Sequence, residues 1–83
     1  MNTPDQTMQL LKKWIDNPEI VTQAELNQAH VNSREAFYYS DDDVTRDVAY
    51  IAYTACFFAF SFAIDDVNFW LNEYEKLAHK EAK

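Results

Sequence analysis

VAYIAYTACFFAFSFAI, from Val48 to Ile64, is the longest stretch of the chain without a charged residue. It contains no residue that breaks a helix, and the whole chain has no glycine. Its apolar side chains recur every three or four positions, which is typical of an α-helix. Aspartates flank both ends, whereas a membrane-spanning helix more often carries Lys or Arg beside one end. The stretch therefore predicts a buried central helix, not a membrane span.

We expect this helix to run from about residue 42 to about residue 79, because nothing between these positions interrupts the helical pattern. Two apolar seams with a spacing of three and four residues follow it, one from Val44 and one from Tyr50. Between the seams lies a stripe of small side chains: Ala49, Ala52, Cys56, Ala59 and Ala63. A helix that is apolar over most of its circumference must be surrounded by other protein.

Two shorter helices are predicted before it, each with a start signal. Thr3 and Gln6 form a capping-box pattern, with Pro4 at the first helical position. Thr22 and Glu25 form a second capping-box pattern.

These elements predict an all-α fold and a single helical domain over residues 1–83. The helices are expected over about residues 4–16, 23–38 and 42–79. In this arrangement the two short N-terminal helices pack on one long C-terminal helix.

The short helices offer too few large apolar residues to cover both seams. We therefore expect oligomerisation to complete the helical bundle, most simply as a homodimer. The stripe from Ala49 to Ala63 is the expected contact, because small side chains let two helix backbones approach closely. A chain of 83 residues builds only a small core, which also favours association. The alternative is that both seams and the stripe lie within one intramolecular core.

Composition excludes several classes of function. The 14 acidic and 7 basic side chains give a net charge of -7, which argues against direct binding of nucleic acid. The absence of glycine excludes a P-loop and a dinucleotide-binding fingerprint. Cys56 is the only cysteine, so no internal disulfide forms and a reducing, cytoplasmic compartment is expected.

Candidate catalytic and metal-binding groups are incomplete. Cys56 lies in the most apolar helix, where burial opposes formation of a thiolate. His30 and His79 each have too few neighbouring ligands for a zinc site, which needs three or four. No pairing of Ser or Cys with His is visible, so we expect no catalytic residues, no metal and no cofactor.

The charge distribution points to a protein partner. Residues 41–75 carry eight acidic residues against Arg46 alone. An acidic helical rod of this kind suits a basic surface on another protein, and it gives the chain DNA-mimic character.

Two clusters combine aromatic anchors with polar groups, as interface hot spots do. The predicted partner-binding residues are Tyr38, Tyr39, Asp41, Asp42 and Asp43 at a helix junction, Phe69, Trp70, Glu73 and Tyr74 beyond the apolar run, and Asp47 and Asp65 on a narrow polar strip. The simpler alternatives are that the first cluster is a capped turn, and that Trp70 and Tyr74 only cover the end of the bundle against Trp14.

The stretch from Tyr50 to Lys76 carries a family resemblance. YIAYTACFFAFSFA, followed by DDVNFWLNEYEK, resembles the small Ala/aromatic-rich helical accessory (early) proteins of tailed bacteriophages. Their long helix ends in a Tyr/Trp pair and a charged Tyr-Glu turn, and here Phe69-Trp70 and Tyr74-Glu75 occupy that ending. The resemblance implies an early phage protein in the host cytoplasm, from a class rich in inhibitors of host enzymes and defence systems. It identifies no functional residues.

The sequence thus leaves three functions open. The first is inhibition of a host defence or nucleic-acid-processing complex by protein–protein contact. The second is a structural or scaffolding role as a helical oligomer. The third is sequestration of a small ligand, such as a nucleotide, between aromatic side chains.

Overall fold

The protein is all-helical over the residues that its structure, a computed structural model, describes: the backbone of residues 3–81 and the side chains of residues 3–78. The prediction of an all-α fold is confirmed for this part of the chain. The helices are α1 (Pro4–Asp16), α2 (Gln23–Tyr39), α3 (Asp43–Phe60) and α4 (Ile64–Glu81), and a short 3₁₀ turn at Pro18–Ile20 joins α1 to α2. None of the described helices is both long and apolar enough to cross a membrane.

Both predicted capping boxes are present. The backbone N–H of Gln6 donates to Oγ1 of Thr3 at 3.2 Å, and the Thr3 N–H donates to Oε1 of Gln6 at 2.9 Å. Thr22 and Glu25 make the same reciprocal pair at 3.1 and 2.9 Å. These bonds satisfy amide groups that have no partner within the helix, and so fix where α1 and α2 begin.

The prediction of one continuous helix over about residues 42–79 is wrong, because the chain turns at residues 61–63. The N–H groups of Phe62 and Ala63 donate to the carbonyls of Ala59 and Phe58, at 3.0 and 3.1 Å. This pair of bonds is a Schellman motif, which ends a helix with one residue in the left-handed conformation. That residue is Phe62, with φ of 55°.

Burial of α4 explains why the chain turns despite the cost at Phe62. A left-handed non-glycine residue costs about 1–2 kcal/mol. The turn folds α4 back, and Val67, Leu71 and Tyr74 become buried in the core. Each large apolar side chain contributes about 1.5–3 kcal/mol when fully buried, so burial outweighs the strain. A continuous helix would also be about 57 Å long, whereas the longest dimension of the molecule is 34 Å.

One apolar core lies between the four helices. α3 is the central element and packs on α1, α2 and α4. The largest fully buried side chains include Trp14, Met8 and Leu11, all from α1. The core residues are Met8, Leu11, Trp14, Val21, Leu26, Ala29, Val48, Ile51, Ala52, Ala55, Cys56, Ala59, Val67, Leu71 and Tyr74.

Candidate functional site

A groove of about 500 Å³ runs between the end of α2, the first half of α3 and the second half of α4. It exists because α4 folds back beside α3. Its lining residues are Phe37, Asp47, Tyr50, Ile51, Trp70, Glu73, Lys76 and Leu77. A volume of this size is typical of pockets that bind a ligand or an anchoring side chain. We name it the aromatic groove.

Three aromatic rings form its walls, and the ring of Tyr50 contacts both of the others. The Tyr50 ring lies 5.7 Å from the Phe37 ring and 5.8 Å from the Trp70 ring, between centroids. The planes of Tyr50 and Trp70 stand at 82°, so the two rings meet as the walls of a corner. Contacts with Tyr53 and Phe69 extend the aromatic set on either side. Such edge-to-face packing holds the rings in defined positions.

Helical spacing places acidic side chains beside these rings. Asp47 precedes Tyr50 by three residues, and Trp70 precedes Glu73 by three. Residues three apart lie on the same face of a helix, so each acidic side chain lies next to an aromatic one. α3 and α4 thus each contribute one ring and one carboxylate to the aromatic groove.

The ion pairs of this region leave one carboxylate unmatched. Lys76 Nζ lies 3.0 Å from Oε2 of Glu73, and Arg46 forms an ion pair with Asp43. Asp47 lines both the aromatic groove and a neighbouring hollow that contains Tyr38, Asp43 and Arg46. Among the described residues, the carboxylate of Asp47 forms no ion pair or hydrogen bond, and its backbone belongs to α3.

The first predicted cluster is exposed but is divided by the structure. Tyr38 and Asp43 lie on the side of the aromatic groove. Tyr39, which is 82% exposed, lines a separate hollow beside Thr3 and Pro4.

The aspartates of this cluster have different local roles. Asp42 caps α3, because its Oδ2 accepts hydrogen bonds from the backbone N–H and the hydroxyl of Thr45 at 2.8 and 2.7 Å. Both bonds lower the pKa of Asp42, and the bond from the Thr45 hydroxyl has a larger effect than the bond from the Thr45 N–H. Asp43 forms the ion pair with Arg46. The alternative of a capped turn therefore describes Asp42, whereas Asp41 is exposed without such a bond.

The second predicted cluster is divided as well. Trp70 and Glu73 line the aromatic groove, and the exposed Phe69 packs on Trp70 with ring centroids 5.2 Å apart. Tyr74 instead faces α1, where its hydroxyl donates to Oδ1 of Asp5 at 2.7 Å. Asp65 is exposed in the first turn of α4 and is not among the groove residues.

The stripe of small side chains is already covered by the chain's own helices. Ala49, Ala52, Cys56 and Ala59 are at most 1% exposed, and only Ala63, in the turn, is half-buried. The stripe thus lies where the alternative to a dimer contact placed it, in an intramolecular core. A homodimer through the stripe would require the surrounding helices to separate, and self-association itself stays a prediction.

Burial also sets the chemistry of the remaining titratable groups. It raises the pKa of the Cys56 thiol to about 12, so the thiolate is disfavoured. Burial, followed by the charge of Arg34, lowers the pKa of His30, whose ring packs 5.4 Å from the ring of Phe60. Within the described part of the chain, no group of three or more His, Cys, Asp and Glu residues is placed to hold a metal ion. The side chain of His79 lies outside the described residues.

Comparison with known proteins finds no match to this chain among family models, curated proteins or solved structures. Function is therefore inferred from the aromatic groove and its charges.

Sequence reasoning identified part of the groove and missed the rest. Asp47, Trp70 and Glu73 were predicted as partner-binding residues and lie together. Phe37 and Tyr50 are not among the predicted partner-binding residues, and the sequence pattern places Tyr50 in an apolar seam. The groove residues come together because α4 folds back beside α3, and no local pattern in the sequence indicates that turn.

Proposed function

We propose that this chain functions by binding another protein, and that it is not an enzyme. The observation that carries the proposal is the aromatic groove, in which the rings of Phe37 and Trp70 each contact the ring of Tyr50. Asp47 lines the same groove, and its carboxylate has no ion pair among the described residues. Aromatic side chains ringed by polar groups are typical of interface hot spots.

The expected partner is a protein with a basic surface. The net charge of -7 attracts basic surfaces at long range. Asp41, between α2 and α3, and Asp47, in the first half of α3, are both exposed. Complementary charge mainly speeds association and selects partners, while the aromatic anchors slow dissociation.

Inhibition of a host protein is the use that we propose for this binding. The resemblance to phage accessory proteins supports it, because that class is rich in inhibitors of defence and nucleic-acid-processing complexes. An acidic surface also supports DNA-mimic character, since a basic nucleic-acid groove would accept it. The site of action would be the cytoplasm of the host cell.

Affinity capture followed by measurement of the purified pair tests this proposal. The native chain is immobilised, bacterial proteins are captured, and the affinity of each purified partner is measured from low to high salt. Replacing Asp41, Asp42 and Asp43 together with Asn preserves the capping chemistry while removing three charges. We expect the triple variant to bind more weakly and with a smaller salt dependence.

A groove variant and a matched control test whether a captured protein binds at the aromatic groove. Tyr50→Lys places a positive charge on the groove wall and should abolish binding of a genuine partner. Asn27→Lys adds the same charge at an exposed position near the start of α2, away from the aromatic groove and from residues 41–43, and serves as the control, with its folding checked by circular dichroism. A partner that binds native, triple and Tyr50→Lys chains equally would contradict the proposal.

Scaffolding through self-association is the second candidate, and the turn between α3 and α4 favours it. Phe62 is 65% exposed and strained, and the sequence pattern continues as a helix through this position. If α3 and α4 joined into one helix, α4 would pack on a second copy and a dimer would form by domain swapping. Light scattering at micromolar concentration separates a dimer from a 9.8 kDa monomer.

Sequestration of a nucleotide receives less support than protein binding or scaffolding. The groove is large enough, and Tyr50 and Trp70 have faces on which a base can stack. Asp47 and Glu73, however, would repel the phosphates at close range. Calorimetric titration with nucleotides is expected to show no binding.

A further inference from the structure

The charges that line the aromatic groove and the adjoining hollow nearly cancel, with one exception. Both of their cations are occupied: Arg46 by Asp43 and Lys76 by Glu73. Asp47, which lies between the two hollows, has no cation of its own among the described residues. A positive group from outside the chain therefore has a defined place opposite Asp47.

The rings around Asp47 favour the same kind of group. Tyr50 and Trp70 form a corner with their planes at 82°, and Phe37 lies on the other side of Tyr50 with its ring tilted by 46°. A cation is attracted to the face of an aromatic ring, most strongly to that of Trp. Ile51 and Leu77 add apolar lining, which suits the methylene chain of a long basic residue.

We infer that the aromatic groove binds an arginine side chain of the partner, with its guanidinium group between the carboxylate of Asp47 and the rings of Tyr50 and Trp70. The inference rests on the proposed function, since it names the chemistry by which a basic partner is recognised. Arginine suits this site better than lysine because its planar group stacks on rings, pairs with a carboxylate through two hydrogen bonds and is more weakly hydrated.

Short peptides test this assignment without knowledge of the partner. The probes are acetyl-Ala-Arg-Ala-amide, its lysine analogue and its citrulline analogue, which is neutral but nearly identical in shape. Binding is followed by nuclear magnetic resonance, through the amide signals of the folded chain and the indole N–H of Trp70. We expect the arginine peptide to shift the signals of Asp47, Tyr50 and Trp70. The citrulline peptide should bind about fivefold more weakly or not at all.

Matched variants separate the two parts of the site. Asp47→Asn should reduce the preference for arginine over citrulline, because only the attraction between the cation and the rings remains. Asp16→Asn, which deletes an exposed charge at the end of α1, should leave the preference unchanged. Tyr50→Leu should weaken binding of the arginine peptide by about two- to fivefold. Tyr50→Phe keeps the ring face and should retain the affinity. Tyr50 is 43% exposed, so both replacements are expected to fold.

The outcomes distinguish this inference from the proposed function. Equal binding of the arginine and citrulline peptides, or signal changes confined to residues outside the groove, would overturn the arginine site. A purified partner protein that binds the native and Asp47→Asn chains equally would also overturn it, while the binding function would stand. Selective binding of the arginine peptide without any captured protein would support the site and count against the proposed function.

Discussion

The hydroxyl of Tyr74 donates a hydrogen bond of 2.7 Å to Oδ1 of Asp5, and this bond joins the last helix to the first turn of α1. Lys12 reinforces the same contact, because its ammonium group lies 5.9 Å from the centre of the Tyr74 ring and 2.5 Å from Oε1 of Glu75. The ends of the described chain are therefore tied together.

Replacing Tyr74 with Phe should destabilise the fold by about 1.5–3 kcal/mol, because the ring is retained and only the hydrogen bond to a charged group is lost. Urea denaturation at neutral pH measures this change. Phe69→Leu, at an exposed ring on the same helix, serves as a control and should change stability by less than about 0.5 kcal/mol. Equal effects of the two variants would mean that the Tyr74–Asp5 bond is not formed.

Tyr74 should also make the stability of the fold depend on pH in the alkaline range. Burial first, and then the hydrogen bond to Asp5, raise the pKa of Tyr74 to about 12, above its ordinary value near 10. The folded state thus favours the protonated phenol, so this stabilisation is complete below about pH 10 and is lost as the pH rises through about 12.

Urea denaturation between pH 8 and pH 11.5 measures this loss. We expect the stability difference between the native chain and Tyr74→Phe to shrink above pH 10. The shifted pKa of Cys56 acts in both chains and so cancels in the comparison. A difference that stayed constant with pH would contradict the raised pKa.

A buried pair of hydroxyls provides a separate test of the packing between α1 and α2. The Ser33 hydroxyl donates to Oγ1 of Thr7 at 3.1 Å, and both side chains are fully buried. Thr7→Val and Ser33→Ala should each cost about 1–2 kcal/mol, since each leaves one buried hydroxyl without its partner. The double variant should cost less than the sum of the two, by about 1 kcal/mol. Strict additivity in urea denaturation would show that the two hydroxyls do not interact.

Local signals in the sequence were sufficient for the fold class and for the starts of α1 and α2. The capping boxes at Thr3 and Thr22 act through bonds three residues apart, so the sequence carries them completely. The end of α3 is different, because no glycine or proline marks residues 61–63. It is decided by the burial of Val67 and Leu71 against distant residues, which overrides the local helical preference.

The candidate site was also predictable only in part. Asp47, Trp70 and Glu73 were expected at an interface from their chemistry alone. Trp70 and Tyr74 are four residues apart and share one face of a helix, so spacing does not tell which of them turns toward α1. The structure shows that the Tyr74 hydroxyl bonds Asp5 of α1, whereas Trp70 packs on Tyr50 of α3.

The thiol of Cys56 should react only when the fold opens. It is completely buried in the small stripe, and burial raises its pKa to about 12. We expect labelling by an aromatic disulfide reagent at pH 8 to be slow and to accelerate with urea in parallel with unfolding. Ser61→Cys in a Cys56→Ala background places a thiol at an exposed position and should be labelled rapidly. Comparable rates for the two thiols would mean that the stripe is open in solution.

Position 62 should control the balance between the folded-back chain and a domain-swapped dimer. Phe62→Gly removes about 1–2 kcal/mol of left-handed strain from the turn and makes a continuous helix about 1 kcal/mol less favourable than with alanine at the same site. Compared with Phe62→Ala, which lacks the same ring, both effects favour the folded-back chain, so light scattering should show less dimer and urea denaturation should show a more stable monomer.

Phe62→Ala is the matched variant for this prediction. It removes the same ring, which contacts Trp14 at 5.8 Å, but it keeps a Cβ atom in the left-handed residue and is the best helix former. We expect the alanine variant to contain more dimer than the glycine variant at the same concentration. If the two variants have the same stability and the same mass in solution, the strain at Phe62 does not restrain the chain, and scaffolding by exchange of α4 loses its support.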